Sequence, residues 1–396
     1  MFVLLLSILL LPQASWAMKS VPFAIPSADR QTVLTGEIDF PDTEFGEPLP
    51  AIILVGGTGL FDRDYYFGNS GTEVDFLFRD LAKKATGNGF AVVRFDYRGV
   101  LCNQRTAPAC PSCKTDLEVR QNYAQHCIDN KVRETVTPNS IRDDIVSIYN
   151  FVLKDPAVDS RRVILLAHSE GTVHASYLVH EKRIQPRGLL YVGAVGDSPK
   201  SLIQWQATDI HGKIATLLWW PMDSNKDRSI SNGEVSSSCR LMGIPETACA
   251  TLLSPVGQWT EDSLKYRLEQ EYQVALRDAL AQADQAPFYS ENTDLGVVFA
   301  SYAWWKMFFV DTTDVASLLR NYSGKVSISN GEIDISTPGN RELPFFEKLN
   351  RGEQVRINLL KGKGHSLGPH KQVGPIPEES FQHLMTEAHW ILDSNN

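Results

Sequence analysis

The sequence predicts an α/β fold: a mostly parallel, doubly wound sheet with a helical cap inserted between two of its strands. Three observations carry that prediction. Continuous apolar runs recur along the chain, and each ends in a Gly-rich or charged motif. Helical patterns separate those runs. One stretch, residues 198–322, is too long for an ordinary crossover and holds six of the eight tryptophans. Composition agrees: 396 residues, 43% hydrophobic and 21% charged, supply a sizeable core and exclude wholesale disorder. No repeat of about 20–50 residues is present, which argues against a solenoid or propeller. The net charge of −9 gives a surface that repels phosphate backbones, so nucleic acid is not an expected partner.

Residues 1–17 (MFVLLLSILLLPQASWA) carry no charge and end in a small residue, the pattern of a signal peptide, which predicts export. The alternative is that Met18 is the true first residue. The apolar stretch is too short to span a bilayer, no later segment looks like a span, and no Cys follows to take a lipid anchor. The chain therefore reads as residues 18–197 and 323–396 forming the sheet domain around the cap at 198–322.

Alternating runs that include residues 32–40 predict antiparallel edge strands. Six apolar runs follow: 51–55 (AIILV), 90–95 (FAVVRF), 162–167 (RVILLA), 188–195 (GLLYVGAV), 325–329 (KVSIS) and 354–360 (QVRINLL). Runs of this kind are expected to be buried on both faces of a parallel sheet. Helical patterns at 75–86, 138–153, 172–183 and 377–392 supply crossovers and a closing helix, and 260–284 gives the cap a long helix. Ligands of such sheets bind at the carboxyl ends of the strands.

At one such end stands Ala167-His168-Ser169-Glu170-Gly171, between a predicted strand and a predicted helix. A serine nucleophile needs a tight turn that lifts its Oγ above the sheet edge, with small residues two places before and after. It also needs a base, and the base needs an orienting carboxylate. Asp334 and His365 each follow a predicted strand, in the chain order Ser, acid, base, so Ser169, Asp334 and His365 form a candidate triad. Of nine histidines only His365 holds a strand-end position, and Glu332 and Asp311 are the alternative acids. Two backbone N–H groups must meet the oxyanion. Glu170 supplies one; in Gly56-Gly57-Thr58-Gly59 the expected second donor is Thr58, then Gly59. A dinucleotide site is excluded because GxGxxG is absent, and no organic cofactor is expected.

By these residues the chain resembles the α/β-hydrolase superfamily over nearly all of its length after the leader. More narrowly it resembles bacterial secreted serine carboxylesterases. The matching residues are Gly57-Thr58-Gly59 followed by Asp62-Arg63-Asp64, then Asp96-Tyr97-Arg98-Gly99, then the elbow His168-Ser169-Glu170-Gly171. The resemblance implies Ser169 as nucleophile, Asp334 as triad acid, His365 as base, and a small-molecule ester as substrate cleaved through an acyl-enzyme. Alternatives are a serine peptidase or acyltransferase on the same fold, or an inactive, calcium-dependent binding protein. Departures are Gly56 for the usual His, Ala167 for Gly, and the long Cys-bearing loop 102–127.

Residues 223–234 (DSNKDRSISNGE) have the twelve-residue spacing of an EF-hand loop. Asp223, Asn225 and Asp227 stand at positions 1, 3 and 5, Ser229 at 7, Ser231 at 9 and Glu234 at 12. Ca²⁺ takes six to eight oxygens from such a loop, and a structural calcium in the cap is the expectation. Arg228 departs from the usual Gly at position 6, where a left-handed backbone costs about 1 kcal/mol. Six cysteines read as three disulfides: Cys239 with Cys249, and Cys102, Cys110, Cys113 and Cys127 in one of three pairings. A zinc site on those four, from the spacing of Cys110 and Cys113, is the rival reading. The aromatic run at 304–309 reads as core packing or as a pocket wall, and Asp62-Arg63-Asp64 as ion pair or substrate clamp. Asn321-Tyr322-Ser323 has glycosylation-acceptor form.

Overall fold

The structure, a computed structural model, describes residues 18–393 except 60, 70–73, 104, 114–115, 285–300 and 371–374. The expected leader, residues 1–17, lies outside the described residues, as does part of the cap.

Eight strands form one sheet: β1 (Met18–Pro26), β2 (Val33–Pro41), β3 (Leu49–Val55), β4 (Ala91–Phe95), β5 (Val158–His168), β6 (Gly188–Val192), β7 (Lys325–Gly331) and β8 (Val355–Leu360). Their spatial order is β1-β2-β4-β3-β5-β6-β7-β8. β2 runs antiparallel to both neighbours, and the pairs from β4 through β8 are parallel. This is the mostly parallel sheet of the α/β-hydrolase fold. Parallel neighbours need covered crossovers, which is why β4 and β6 are buried at every residue. The expectation for residues 354–360 is corrected. No residue of β8 is fully buried, because it is the outer strand and has a neighbour on one side only. Residues 193–195 also leave the strand, Gly193 turning the chain at φ 58°.

The two-residue period of the strands sorts the core into two layers. Ile52, Leu54, Val92, Ile164 and Leu166 face α1 (Leu77–Gly87) and the closing helix Glu378–Leu392. Ala51, Ile53, Val55, Val93 and Leu165 face the other side, where α2 (Pro138–Val152) and α3 (Glu170–His180) pack. α3 begins two residues earlier than its apolar pattern suggests, directly after Ser169.

Between β6 and β7 the chain adds no strand to the main sheet among the described residues. It forms α4 (Pro199–Thr208), a π-helical turn (Ala215–Trp219), α5 (Asn232–Met242), α6 (Glu246–Leu252), α7 (Glu261–Ala281) and α8 (Tyr302–Val310). Trp219, Met222, Ile230, Val235, Trp259, Leu264 and Leu268 make a separate small core there, and Arg267 lies over the rings of Trp219 and Trp259 at 5.1 and 5.0 Å. Trp304 and Phe308 of α8 instead join the main core, while Phe309 packs with Tyr272 and Ala279 of α7.

Cys239 pairs with Cys249, stapling α5 to α6. Cys102 pairs with Cys127, and Cys110 with Cys113. The zinc reading is therefore overturned: all four sulfurs are spent in disulfides, and none is left as a thiolate ligand. No helix among the described residues is long and apolar enough to cross a membrane.

Candidate active site

Ser169 occupies the single residue between β5 and α3, with φ 56° and ψ −124°. A non-glycine residue held there stores about 1–3 kcal/mol of backbone strain. The surroundings hold it fixed. Its N–H donates to the Val192 carbonyl at 2.9 Å, and its own carbonyl accepts from Thr172 N–H at 2.9 Å and Thr172 Oγ1–H at 2.7 Å. Gly171 has to be glycine, since a Cβ there would lie 2.6 Å from the carbonyl oxygens of both Val55 and Gly56. Ala167 is tolerated in place of the usual Gly because it is still an in-register strand residue, paired with Val55 and Tyr191.

The structure brings Asp334 and His365 together. His365 Nδ1–H donates to Asp334 Oδ2 at 2.8 Å, and both residues are buried. Asp334 Oδ1 accepts the N–H groups of Ser336 (2.7 Å) and Thr337 (3.0 Å), and Oδ2 also accepts Thr337 Oγ1–H at 2.9 Å. Burial alone would raise this carboxyl's pKa. The adjacent His365 imidazole and these hydrogen bonds outweigh burial and hold it below the ordinary value. The alternative acids are engaged elsewhere: Glu332 is exposed and accepts from Gly362 N–H, while Asp311 accepts from the Tyr177 hydroxyl at 2.7 Å.

The loop after β3 passes over the elbow. A Cβ on Gly57 would stand 2.8 Å from Ser169 Cβ and 3.2 Å from its Oγ. The Gly56–Gly57 peptide is fixed at both ends. Tyr97 Oη–H donates to the Gly56 carbonyl at 2.7 Å, and the Gly57 N–H donates to Tyr65 Oη at 2.8 Å. Gly57 is thereby spent as a donor. The N–H groups of Thr58 and of Glu170, the first residue of α3, have no hydrogen-bond partner among the described residues, and Thr58 directly follows Gly57, which lies against Ser169.

Sequence reasoning missed Tyr65, Tyr97 and the part played by His168. Tyr65 Oη lies 3.0 Å from His168 Nδ1, and His168 Nε2 lies 3.2 Å from the His365 carbonyl oxygen. Burial, reinforced by the neighbouring His365, pushes the His168 pKa well down, so its ring is neutral. A carbonyl can only accept, so Nε2 carries the proton and Nδ1 accepts from Tyr65. One chain of hydrogen bonds thus joins the loop after β3, the turn at Ser169 and the backbone of His365. Nothing in the spacing announced it, since Tyr65 and His168 are 103 residues apart.

The Glu170 side chain is buried. Its Oε1 lies 2.8 Å from His174 Nε2 and accepts from Trp304 Nε1–H at 3.2 Å, which ties α8 to α3. The Asp62-Arg63-Asp64 segment is structural. Arg63 pairs with Asp96 (2.5 Å) and Glu37 (3.1 Å), Asp64 pairs with Arg94 and Arg105, and Asp62 caps the turn by accepting the N–H groups of Asp64 and Tyr65. Arg98 of the Asp96-Tyr97-Arg98-Gly99 turn grips Asp144 with two hydrogen bonds of 2.6 Å.

In the loop at 223–234 the backbone of Arg228 is left-handed, with φ 67°. Ser229–Ser231 forms a short strand paired with Gln258–Thr260, and α5 starts at loop position 10, which puts Glu234 in its first turn. Asp223 accepts from the N–H groups of Asp227 and Arg228, Asn225 Oδ1 from that of Asp227, and Asp227 Oδ1 from Ser229 N–H. Both oxygens of Glu234 accept within the loop, from Ser224 and from Ser231. Hydrogen bonds from Ser231 and Ser224 outweigh slight burial and hold its carboxyl at about 2. No three His, Cys, Asp or Glu side chains among the described residues converge as a metal cluster.

No protein-family model matches the chain, and no curated protein matches it in sequence. Among solved structures it is similar to the alpha/beta hydrolase GrgF from Penicillium sp. sh18, with 15% identity, 94% of this chain and 98% of that chain covered, and a TM-score of 0.43. It is also similar to Est1E from Butyrivibrio proteoclasticus, with 12% identity, 92% and 98% covered, and a TM-score of 0.44. A third is the acetyl xylan esterase from Paenibacillus sp. R4, with 14% identity, 96% and 85% covered, and a TM-score of 0.46. Likeness of this degree bears on neither the site residues nor the substrate.

Proposed function

We propose that the chain is a serine hydrolase that cleaves carboxylic esters through an acyl-enzyme. The observation that carries this reading is the 2.8 Å contact of His365 Nδ1 with Asp334, in a chain whose Ser169 is held on a strained strand-to-helix turn. Asp334 keeps the proton of His365 on Nδ1, which leaves Nε2 unprotonated to act as base. His365 takes the Ser169 hydroxyl proton as Oγ attacks the carbonyl carbon, and then delivers it to the leaving alcohol. The negative oxygen that develops is met by Thr58 and Glu170 N–H, with the N-terminus of α3 adding its dipole. Water activated by His365 then releases the acid and restores Ser169.

The test is hydrolysis of p-nitrophenyl esters of increasing acyl length by the native protein and by Ser169→Ala. Activity on an ester that drops at least about a thousandfold in the variant supports the reading. A folded native protein that turns over none of these esters overturns it and favours a peptidase or a binding protein instead.

We propose further that Asp223, Asn225, Asp227, Ser229, Ser231 and Glu234 hold one Ca²⁺ that orders the cap. Calcium at a hundred times its Kd is expected to stabilise the folded state by about 2.7 kcal/mol. A calorimetric scan with calcium and with chelator checks this, and Asp223→Ala is expected to remove the difference. An identical transition in both conditions overturns it. Export into an oxidising compartment is proposed on the same terms, from residues 1–17 and from the three disulfides.

A further inference from the structure

The Glu170 carboxylate and the Glu170 N–H assigned above to the oxyanion belong to one residue, and the carboxylate is held from the cap. Glu170 is buried; its Oε1 accepts from Trp304 Nε1–H of α8 at 3.2 Å and faces His174 Nε2 at 2.8 Å. Its Oε2 has no hydrogen-bond partner among the described residues. A carboxylate drawn out of water needs donors, so the indole N–H is a contact this side chain does not give up without moving.

That contact is one of three in register. Glu170, His174 and Tyr177 are spaced by four and three residues, which sets them on one face of α3. Trp304, Phe308 and Asp311 have the same spacing along α8 and the residue that caps it. They meet in the same order. Trp304 bonds Glu170, the Phe308 ring stands edge-on to His174 with centroids 6.4 Å apart, and Asp311 accepts the Tyr177 hydroxyl at 2.7 Å.

α8 is anchored at both ends. Ser301, its N-cap, donates Oγ–H to the Val136 carbonyl at 2.8 Å, and the Asp311 carbonyl accepts the Lys200 N–H of α4 at 3.0 Å. Phe309 of α8 meets Tyr272 of α7 with ring centroids 6.1 Å apart. α8 therefore touches both the long helix of the cap and α3, which opens directly after Ser169. Peptide geometry carries that tie to the reaction. The Ser169–Glu170 peptide is held on its carbonyl side by Thr172, at 2.9 and 2.7 Å. On its nitrogen side the chain leaves through the Glu170 Cα, and Trp304 anchors the side chain on that Cα. A donor to an oxyanion has to stay within about 0.5 Å of its productive position.

We propose that Trp304 is a positioning residue of the reaction: through the Glu170 carboxylate it keeps the Glu170 N–H in place for the oxyanion, so the cap, by way of α8, governs the rate of the chemical step. The proposal rests on the esterase reading of Ser169, Asp334 and His365, and it adds how the cap controls that site.

Trp304→Phe and Glu170→Ala test it on p-nitrophenyl butyrate, with active sites counted by a fluorophosphonate run to its endpoint. Trp304→Phe removes the indole N–H and keeps an aromatic ring against Phe308. Each variant is expected to lose a factor on the order of 10–100 in kcat per active site, with KM within about twofold of native. Glu170→Gln, which keeps an oxygen for the indole N–H, is expected to stay within about threefold of native. An alkyl trifluoromethyl ketone gives the readout that lost packing alone would not move. Ser169 Oγ adds to its carbonyl carbon, the hydroxyl proton passes to His365, and the carbonyl oxygen becomes an oxyanion facing the Glu170 N–H. Its Ki is expected to rise by the factor that kcat loses. The double variant is expected to be no slower than the slower single one, because both act through one N–H. Glu170→Leu, which also lacks the acceptor, is the second variant should Glu170→Ala fold poorly. No loss in either single variant, a kcat loss with Ki unchanged, or losses that multiply in the double variant overturns the proposal. If the native protein hydrolyses no p-nitrophenyl ester of any acyl length, the esterase reading itself fails and the proposal falls with it.

Discussion

Asp334→Asn is expected to lower kcat by a factor on the order of 10³–10⁴ while leaving the fold intact. The reason is which oxygen faces which donor. Asp334 Oδ1 accepts two backbone N–H groups, from Ser336 and Thr337, and these cannot rotate away. An asparagine in the same place must keep its carbonyl oxygen on that side, so its NH₂ replaces Oδ2. That NH₂ then points at His365 Nδ1, 2.8 Å away in the native site. Two donors cannot face each other, so the imidazole must move its proton to Nε2, the nitrogen that should act as base. Burial sharpens the effect, since no water intervenes to supply the missing acceptor. Steady-state kinetics on the best ester check this, with circular dichroism as the control for folding. A loss of less than about tenfold would mean that Asp334 is not the acid on which the base depends.

Arg94→Met is expected to cost about 3–5 kcal/mol of stability, because removing one partner of a buried ion network leaves the others uncompensated. The Arg94 side chain is 1% exposed and binds Asp39 at 2.6 Å, Glu37 at 2.6 Å and Asp64. Burial disfavours its charge, but the three carboxylates outweigh burial and raise its pKa above the ordinary arginine value. Without the guanidinium, Asp39 and Asp64, both fully buried, would be left inside the protein with little to balance them. The damage should also reach the site. Asp64 immediately precedes Tyr65, whose hydroxyl receives the Gly57 N–H in the loop above Ser169. Denaturant unfolding checks the stability loss, and kcat of the folded fraction checks the link. A change below about 1 kcal/mol would show that this network behaves like an exposed surface pair.

Much of the site was legible because its logic is local. A serine elbow needs small flanking residues, a strand before it and a helix after it, and all are consecutive in the chain around Ser169. Asp334 and His365 stood out because each follows a run with strand character, and a parallel sheet sends all such ends to one edge. Cys239 and Cys249 paired as their ten-residue separation suggested. The misreadings were of tertiary origin. The run at 354–360 looks like an interior strand in isolation, yet the sheet ends there and β8 has a single neighbour. The CxxC of Cys110 and Cys113 suits a metal or a disulfide equally, and only the folded loop, with Cys102 bound to Cys127, decides between them.

The sequence by itself determined most of the strands, the order of Ser169, Asp334 and His365 after them, and the Gly-rich loop after β3, because periodicity and turn chemistry act over a few residues. Only the tertiary structure decided which N–H groups stay available above Ser169, since Gly57 is claimed by a tyrosine that in turn answers to a histidine 103 residues onward. That outcome follows from chain closure: a hydrogen bond or charge pair between distant residues exists only once the packed core has fixed both ends, and no short stretch of sequence specifies that.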